Sequence, residues 1–406
     1  MSLFINLIRS IGRKVGFTWY NEYLLKILRH PFWILKGNKI PHQIITFNKV
    51  QEYTQQDVNL CNRLIGAYIK ATSDLEIIQK NKSIIWTNIL KSKYNILVSA
   101  IEKKDPNNLA KILSSLFRQS FVIGIASGSL VTQSFGKIGS RIWSLKYLDN
   151  LVLLAEYLGV IRTETPEQGI VAYGLKDGIG EIVERIEKVL KSSIAFPNLG
   201  ASYGINVNNS LITMESPEHI YVALRLKFAV DTFSNNKTTD DLNIVEIGGG
   251  FGGLAYWMHK LKQISFKSYV IIDLPIINVI QGYFLSKILG ESKIRFYGES
   301  NKESNIFSIM PVQIINSMNN YDIDILINEN SMPEMPEQSV IDYIRWAKNN
   351  LQGFFFSYNQ EAFAPVGGIP QILVPEIISR EGGLKRVSRS PSWLRTGYVE
   401  EIYKKV

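Results

Sequence analysis

The sequence has few of the residues on which disulfide-bonded folds and most metal sites depend. Its 406 residues include one cysteine, Cys61, and four histidines, at positions 30, 42, 219 and 259. A single cysteine excludes a disulfide framework within the chain and a cysteine-rich metal site, and a reducing cytoplasm is the simplest compartment for it. The histidines have no ligand-like spacing, so we expect no histidine-based metal site.

Long hydrophobic runs are also missing. No stretch of about 18 apolar residues occurs, so we predict no membrane-spanning helix. Arg9 and Arg13 interrupt the apolar core that a signal peptide would need. The chain is 46% hydrophobic and 20% charged, which are the proportions of a globular protein, and its length suits two domains or one domain with a large extension.

Negative charge is scarce at the amino terminus. Residues 1–40 contain seven basic residues and one acid, and therefore carry +6 of the net charge of +9. The rest of the chain is nearly neutral, so no nucleic-acid partner is predicted. Apolar residues from Leu3 to Val15 recur at helical spacing, which predicts an amphipathic helix. Two interpretations stay open: peripheral docking on the inner face of a membrane, or packing on the chain's own domain or on a second subunit of a homo-oligomer.

Two larger parts follow this basic segment, residues 1–45. Residues 46–200 carry apolar side chains at the helical period, which predicts a mostly helical accessory domain for acceptor recognition. The stretch 193–215 resembles a loop, and a helix is predicted to follow it, with Ser216 as its N-cap. Strands and helices then alternate within residues 201–406, which predicts an α/β fold with a parallel sheet covered by helices. We predict strands at 242–247, 269–272, 293–297, 323–327 and 353–356, a closing hairpin at 384–406, and either a lid or a plain connection at 362–375.

A glycine-rich motif joins the first predicted strand of this region to the next helix. Residues 244–255 read IVEIGGGFGGLA, with Glu246 at the strand end and glycines at 248, 249, 250 and 252. Glycine lets the backbone adopt positive φ and lets a ligand approach closely, and the helix that follows offers free N–H groups to an anion. The second strand ends at Asp273, whose carboxylate is placed to bind ribose hydroxyls.

The glycines alone leave the cofactor ambiguous, because Gly248, Gly250 and Gly253 also satisfy the dinucleotide pattern G-x-G-x-x-G. Glu246 favours a cofactor with a positive end, since an acid at this place would repel a pyrophosphate. We therefore predict S-adenosyl-L-methionine, and keep an NAD(P)-dependent oxidoreductase as the alternative. The predicted cofactor-binding residues are Glu246, Gly248, Gly249, Gly250, Gly252, Asp273, Leu274 and Asn328.

Three blocks in this half resemble the sugar O-methyltransferases of bacterial polysaccharide-synthesis clusters. They are VEIGGGFGGLA at 245–255, YVIIDLPIINVIQGYFL at 269–285 and DILINENSMPEM at 324–335. The resemblance implies a Rossmann-like S-adenosylmethionine-dependent methyltransferase domain. The acceptor would be a sugar hydroxyl of a nucleotide sugar, a lipid-linked glycan or a growing polysaccharide of the O-antigen or capsule type. Four residues match the third block of the family: Asn328, Ser331, Glu334 and Met335.

A sugar hydroxyl is a poor nucleophile while it is protonated, so a positioned base helps the transfer, and three residues are candidates. Glu329 and Glu334 follow the fourth predicted strand, and His219 lies at the start of the helix before the first. Each of the three also has a purely structural interpretation. Glu329 would be a solvated loop residue and Glu334 an acid in the first turn of a helix. His219 would be a residue at a helix start that is bonded to the backbone. Asn328 and Asn330 flank Glu329 where a divalent cation would favour paired aspartates, so no metal is predicted. A non-catalytic methyltransferase-fold protein that binds a glycan or an assembly partner stays open as an alternative.

Overall fold

The structure is a computed structural model. It describes residues 46–74, 93–126, 136–162, 178–234, 242–302, 306–318, 321–361 and 371–406, without the side chains of 46, 47 and 136–146. The predicted amphipathic helix within residues 1–45 lies outside the described residues. So does most of the predicted lid at 362–375.

The described elements alternate as expected in the second half of the chain. The helices are α1 Gln55–Ser73, α2 Asn95–Glu102, α3 Pro106–Leu113, α4 Gly136–Tyr157, α5 Ile179–Leu190, α6 Ser216–Phe233, α7 Gly253–Leu261, α8 Pro275–Leu289, α9 Glu337–Asn350 and α10 Val374–Glu381. The strands are β1 Thr46–Phe47, β2 Tyr203–Val207, β3 Ser210–Ile212, β4 Asn243–Ile247, β5 Ser268–Asp273, β6 Ile294–Phe296, β7 Phe307–Pro311, β8 Ile323–Glu329, β9 Leu351–Gln360, β10 Leu384–Pro391 and β11 Tyr398–Lys405. Short 3₁₀ turns include Leu116–Arg118, Ser120–Val122 and Met332–Glu334.

Eight of the described strands form one sheet, in the order β10-β11-β9-β8-β4-β5-β7-β6. The strands from β9 to β6 are mutually parallel, whereas β11 lies antiparallel to both β9 and β10. This arrangement confirms the predicted Rossmann-like α/β fold and the closing hairpin at 384–406. Because β4 lies between β5 and β8, the ends of these three strands form one edge, where ligands of such sheets bind.

Three strands were missed and one helix start was predicted wrongly. Residues 193–215 are not all loop, because β2 and β3 form a hairpin across Asn208 and Asn209, which both adopt positive φ. Asparagine tolerates that conformation, so the Asn-Asn pair between apolar residues was a usable signal. Strand β7 was missed, although its five residues are all buried. Ser216 belongs to α6 rather than capping it, since the flanking residue is Glu215.

Hydrophobic side chains cover both faces of the sheet. Neighbouring residues of β4 alternate between the two layers, with Ile244 in one cluster and Val245 in the other. The cluster that contains Ile244 also includes Leu64 and Phe117 from the helical half of the chain. This core therefore includes residues of both halves of the chain, and the predicted division near residue 200 stays a prediction. None of the helices in the described part of the chain has the length and apolar character needed to cross a membrane.

Candidate functional site

The glycine-rich loop begins directly after β4, at the sheet edge. Gly248 has a φ of 75°, Gly250 of 55° and Gly252 of 92°, which is backbone that side chains with a Cβ rarely adopt. The N–H of Gly248 donates to the carbonyl of Ile272 at 2.9 Å, which ties the loop to the end of β5. A Cβ atom at Gly249 would lie 2.7 Å from Ile271. The loop thus passes too close to the sheet for any larger residue.

Glu246 lies beneath this loop and is 1% exposed. A Cβ atom at Gly249 would lie 3.1 Å from its Oε2 atom, and the hydroxyl of Tyr269 donates to the same oxygen at 2.9 Å. Burial raises the pKa of Glu246 to about 7, the nearby Asp273 adds to the rise, and the bond from Tyr269 opposes it. No cation in the described part of the chain pairs with this carboxyl. The charge of an ionised Glu246 is therefore not balanced by the described side chains around it.

Asp273 ends β5 beside the loop. Its carboxylate accepts hydrogen bonds from the N–H of Leu274 at 2.8 Å and from Nε2 of Gln281 at 2.8 Å. Burial raises the pKa of Asp273 to about 7, while these bonds and the N–H groups of Gly249 and Gly250 oppose the rise. Gln281 also donates to the carbonyl of Gly250 at 2.9 Å, so it joins α8 to both the acid and the loop. Gln281 belongs to the second block of the sequence resemblance, 269–285, and no role in the site was predicted for it.

Asn328 holds the end of β8 against the end of β4. Its side chain is 0% exposed, and its Nδ2 donates to the carbonyl of Ile247 at 2.9 Å and to Ser331 at 2.6 Å. Its Oδ1 accepts from Asn359 at 2.9 Å and from the N–H of Met332. These contacts make Asn328 a positioning residue for the loop after β8. Its predicted contact with the cofactor stays a prediction, as do the contacts predicted for the glycines, Glu246, Asp273 and Leu274.

A second polar cluster lies at the end of β8 and is joined to the start of α6. Glu218 accepts a hydrogen bond from Asn330 at 3.2 Å and forms an ion pair with Arg395 at 3.1 Å. Glu329 is 8% exposed, and His219 packs its ring 5.7 Å from that of Phe251 in the glycine loop. The predicted candidates Glu329 and His219 thus both neighbour Glu218, the residue that links α6 to the loop after β8.

The electrostatics of this acceptor-side cluster (Glu218, His219, Glu329, Asn330 and Arg395) favour the uncharged forms of two of its members. Burial raises the pKa of Glu329 well above its ordinary value, Glu218 and Glu246 add to the rise, and Arg395 opposes it. Burial lowers the pKa of His219 to about 4, against the opposing effect of Glu218. The uncharged forms of Glu329 and His219 are therefore favoured beside the ion pair of Glu218 and Arg395.

Glu334, the third predicted base, lies in the 3₁₀ turn after β8 and is partly buried. Burial raises its pKa and Arg395 opposes the rise, so the same guanidinium acts on Glu218, Glu329 and Glu334. Arg395 was not predicted as a site residue, because it lies in the turn between β10 and β11, far in sequence from every motif. Only the antiparallel addition of β11 to β9 brings that turn to the site.

Several buried polar atoms of the acceptor-side cluster have no hydrogen-bond partner within the described residues. They are Oε1 of Glu329, Oδ1 of Asn330 and Nδ1 of His219. Buried polar atoms normally have hydrogen-bond partners. Several unpartnered atoms close together are therefore typical of a site that a ligand completes. Within the described residues no group of three histidine, cysteine, aspartate or glutamate side chains is arranged to hold a metal ion. The predicted absence of a metal stays a prediction.

No protein-family model matches the chain, and no curated protein matches it in sequence. Solved structures resemble it at low identity. The pyocyanin biosynthetic protein PhzM is 10% identical with a TM-score of 0.34, over 48% of this chain and 56% of that one. The mitomycin 7-O-methyltransferase MmcR is 9% identical with a TM-score of 0.36, over 87% of this chain and 96% of that one.

The magnesium protoporphyrin IX methyltransferase ChlM of Synechocystis PCC 6803, solved with bound S-adenosylhomocysteine, is a further similar structure. It is 12% identical with a TM-score of 0.33, over 46% of this chain and 83% of that one. Identities and scores this low do not assign an activity to the chain, whose chemistry has to follow from its own residues.

Proposed function

We propose that this protein is an S-adenosylmethionine-dependent O-methyltransferase that acts on a sugar hydroxyl. The observation that carries the proposal is Glu246, a buried carboxyl without a cationic partner in the described part of the chain, lying under a glycine loop. A ligand with a positive end would stabilise the ionised carboxylate and thereby gain affinity. S-adenosylmethionine has two such groups, the methionyl ammonium and the sulfonium.

The remaining residues of the loop fit the rest of this cofactor. Glycines with positive φ admit a ligand close to the backbone, and the start of α7 offers N–H groups to the methionyl carboxylate. Asp273 at the next strand end is the acceptor for ribose hydroxyls. When bound, the cofactor supplies a methyl group that is already activated on a positively charged sulfur. A pyrophosphate at the same place would approach Glu246, which disfavours a dinucleotide.

The acceptor-side cluster favours a polyhydroxylated acceptor. Glu329, Asn330 and His219 each present a buried polar atom that lacks a partner in the described part of the chain. An acceptor with several hydroxyl groups can donate to and accept from all of them, whereas a ligand with a single polar group would leave others unsatisfied. This requirement supports a sugar, in agreement with the family that the three sequence blocks resemble.

Glu329 is our choice of base. In the transfer, the acceptor oxygen forms its bond to the methyl carbon while the carbon–sulfur bond breaks, and the hydroxyl proton passes to the carboxylate. Positioning the oxygen in line is worth much of the acceleration, and a base adds roughly 10²–10⁴-fold. Glu329 has to be ionised to act, and Arg395 is the neighbour that favours its ionised form.

Two features support a role in cell-surface polysaccharide synthesis near a membrane. They are the sequence resemblance of the three blocks and the positive charge of segment 1–40. The three blocks are similar to enzymes of bacterial cell-surface polysaccharide synthesis, and the basic residues of segment 1–40 suit contact with an anionic membrane face. A lipid-linked glycan would combine both features. Deleting residues 1–40 should then abolish binding to vesicles that contain anionic lipid. Unchanged binding would mean that this segment packs on protein instead.

The decisive experiment is calorimetric titration of the full chain with S-adenosylhomocysteine and, in parallel, with NAD⁺. We expect binding of the first only, and a loss of tenfold or more, about 1.4 kcal/mol, in Asp273→Ala. Transfer of a labelled methyl group to extracted glycans is then compared for wild type, Glu329→Gln and the exposed control Glu376→Gln. Loss of transfer only in Glu329→Gln, with binding retained, supports the proposal. Binding of NAD⁺ alone would favour the oxidoreductase, and transfer unaffected by Glu329→Gln would reject that base.

A further inference from the structure

The helical half of the chain lies directly against the glycine-rich loop. The ring of Phe117 meets that of Phe251 edge to face, with centroids 5.3 Å apart. The carbonyl oxygen of Ile125 lies 3.6 Å from the position that a Cβ atom of Gly250 would occupy. Phe117 and Ile125 belong to the segment that contains the 3₁₀ turns after α3. This segment therefore borders the loop on a side that the sheet does not cover.

Tyr94 stands behind this segment, at the start of α2. It is 0% exposed, and its ring centroid is 5.6 Å from that of Phe121 in the second 3₁₀ turn. Its hydroxyl has no hydrogen-bond partner within the described residues. Burial and the nearby Asp273 raise the pKa of this tyrosine above its ordinary value, so the hydroxyl stays protonated and able to donate.

A buried hydroxyl without a partner is unfavourable, and folded proteins rarely keep one without a reason. Phenylalanine would pack in the same place and avoid that loss. The hydroxyl lies within electrostatic reach of Asp273, the acid to which we assign the ribose of the cofactor. A ligand that brings a polar atom beside Asp273 could also give the Tyr94 hydroxyl its missing partner.

We propose that Tyr94 is part of the cofactor site, where its hydroxyl forms a hydrogen bond with the ribose of bound S-adenosylmethionine beside Asp273. The helical half then completes the cofactor pocket in addition to any part it has in acceptor recognition. This inference rests on the proposed function, because it assigns a further residue to the same site.

The test compares Tyr94→Phe with Tyr147→Phe, a control at a tyrosine that is 1% exposed and has Tyr203 and Glu215 as neighbours. S-adenosylhomocysteine is titrated into each protein, and thermal unfolding is measured without ligand. Tyr94→Phe should weaken binding by about three- to tenfold, the range for one hydrogen bond. Its unfolding temperature without ligand should stay the same or rise, because an unpaired hydroxyl has been removed. The control should bind as wild type does.

A second measurement uses the 2′-deoxyribose analogue of S-adenosylhomocysteine. Wild type should bind it more weakly than the parent compound, and Tyr94→Phe should reduce that difference if the two groups interact. A hydrogen-exchange experiment on wild type covers the case in which the variant does not fold. Ligand binding should then slow amide exchange in α2.

The outcomes separate this inference from the proposed function. Wild type that binds S-adenosylhomocysteine while Tyr94→Phe binds it equally well would overturn the role of Tyr94 alone. Unchanged exchange in α2 on binding would do the same. Wild type that does not bind S-adenosylhomocysteine would overturn the proposed function, and the role of Tyr94 with it.

Discussion

The hydroxyl of Tyr269 donates a 2.9 Å hydrogen bond to Oε2 of Glu246 from the neighbouring strand β5. Both side chains are buried, at 0% and 1% exposed. A phenol hydroxyl stabilises a carboxylate without neutralising its charge, so the pKa of Glu246 remains raised, at about 7. The pair therefore fixes the position of Glu246 and leaves its charge for another group to balance.

The first prediction concerns that charge. Glu246→Gln keeps the shape of the side chain and an oxygen that accepts from Tyr269, but it removes the negative charge. We expect affinity for S-adenosylmethionine to fall by tenfold or more, since a hydrogen bond to a charged group contributes about 1.5–3 kcal/mol. Calorimetric titration measures the change, with Glu376→Gln on α10 as the control. Equal affinity in both variants would mean that Glu246 does not meet the positive end of the cofactor.

The second prediction concerns stability and pH. The pKa of Glu246 is about 7 in the folded protein, against an ordinary value of 4.5, so the folded state keeps a proton that the unfolded chain loses between these values. The free energy of unfolding should therefore fall as pH rises through this window, and stay level above it. Glu246→Gln lacks this dependence. Its stability relative to wild type should rise from pH about 4.5 to pH about 8, by at most about 3 kcal/mol.

Urea denaturation of ligand-free wild type and Glu246→Gln at both pH values measures this difference. Asp273 is common to the two proteins, so its own titration largely cancels in the comparison. A difference in stability that does not change with pH would show that folding does not raise the pKa of Glu246.

The third prediction concerns the close approach of the glycine loop to the sheet. In Gly249→Ala the new Cβ would lie 2.7 Å from Ile271, a contact that requires a shift of the loop. We expect a loss of about 1–3 kcal/mol in the free energy of unfolding and weaker binding of S-adenosylhomocysteine. Gly66→Ala is the matched control, because Gly66 is an exposed position of α1 with nothing within 4 Å of a new Cβ. Alanine there should stabilise the helix by about 0.5–1 kcal/mol and leave binding unchanged.

Thermal unfolding and calorimetric titration of both alanine variants provide the comparison. Full stability and affinity in Gly249→Ala would contradict the prediction, because the loop would then accept a side chain at a position where the structure leaves no room for one.

The fourth prediction identifies the base from the directions in which two substitutions shift the pH profile of methyl transfer. Arg395 lowers the pKa of Glu329 and Glu218 raises it. If Glu329 is the base, Arg395→Gln should move the acid limb of the profile to higher pH, and Glu218→Gln should move it to lower pH. His219 responds to Glu218, whereas Arg395 is not among the groups that shift its pKa.

The measurement is the rate of transfer from labelled S-adenosylmethionine to the acceptor found in the glycan assay, as a function of pH. Opposite shifts in the two variants identify Glu329. An acid limb that moves only in Glu218→Gln would assign the base to His219, and a profile that neither substitution moves would exclude both.

Much of the site could be predicted because it depends on local sequence. The order of residues from Glu246 to Gly252 already contains a strand end, a run of glycines and a helix start, and the structure has all three there. Asp273 and the end of β8 were placed correctly at the sheet edge, since the carboxyl ends of parallel strands must meet there. The Asn-Asn hairpin was missed although its signal is local, because a short polar stretch resembles a loop.

The sequence alone determined the α/β alternation, the glycine loop and the acid at each strand end, because each arises from residues within one or two turns of chain. Only the tertiary structure decided that Arg395 pairs with Glu218 at 3.1 Å, that Tyr269 meets Glu246, and that the segment around Phe117 borders the loop. These contacts join residues that are far apart in the chain. They form because strand order and the packing of a shared core bring the partners together. The spacing of residues within a motif predicts neither the strand order nor the packing.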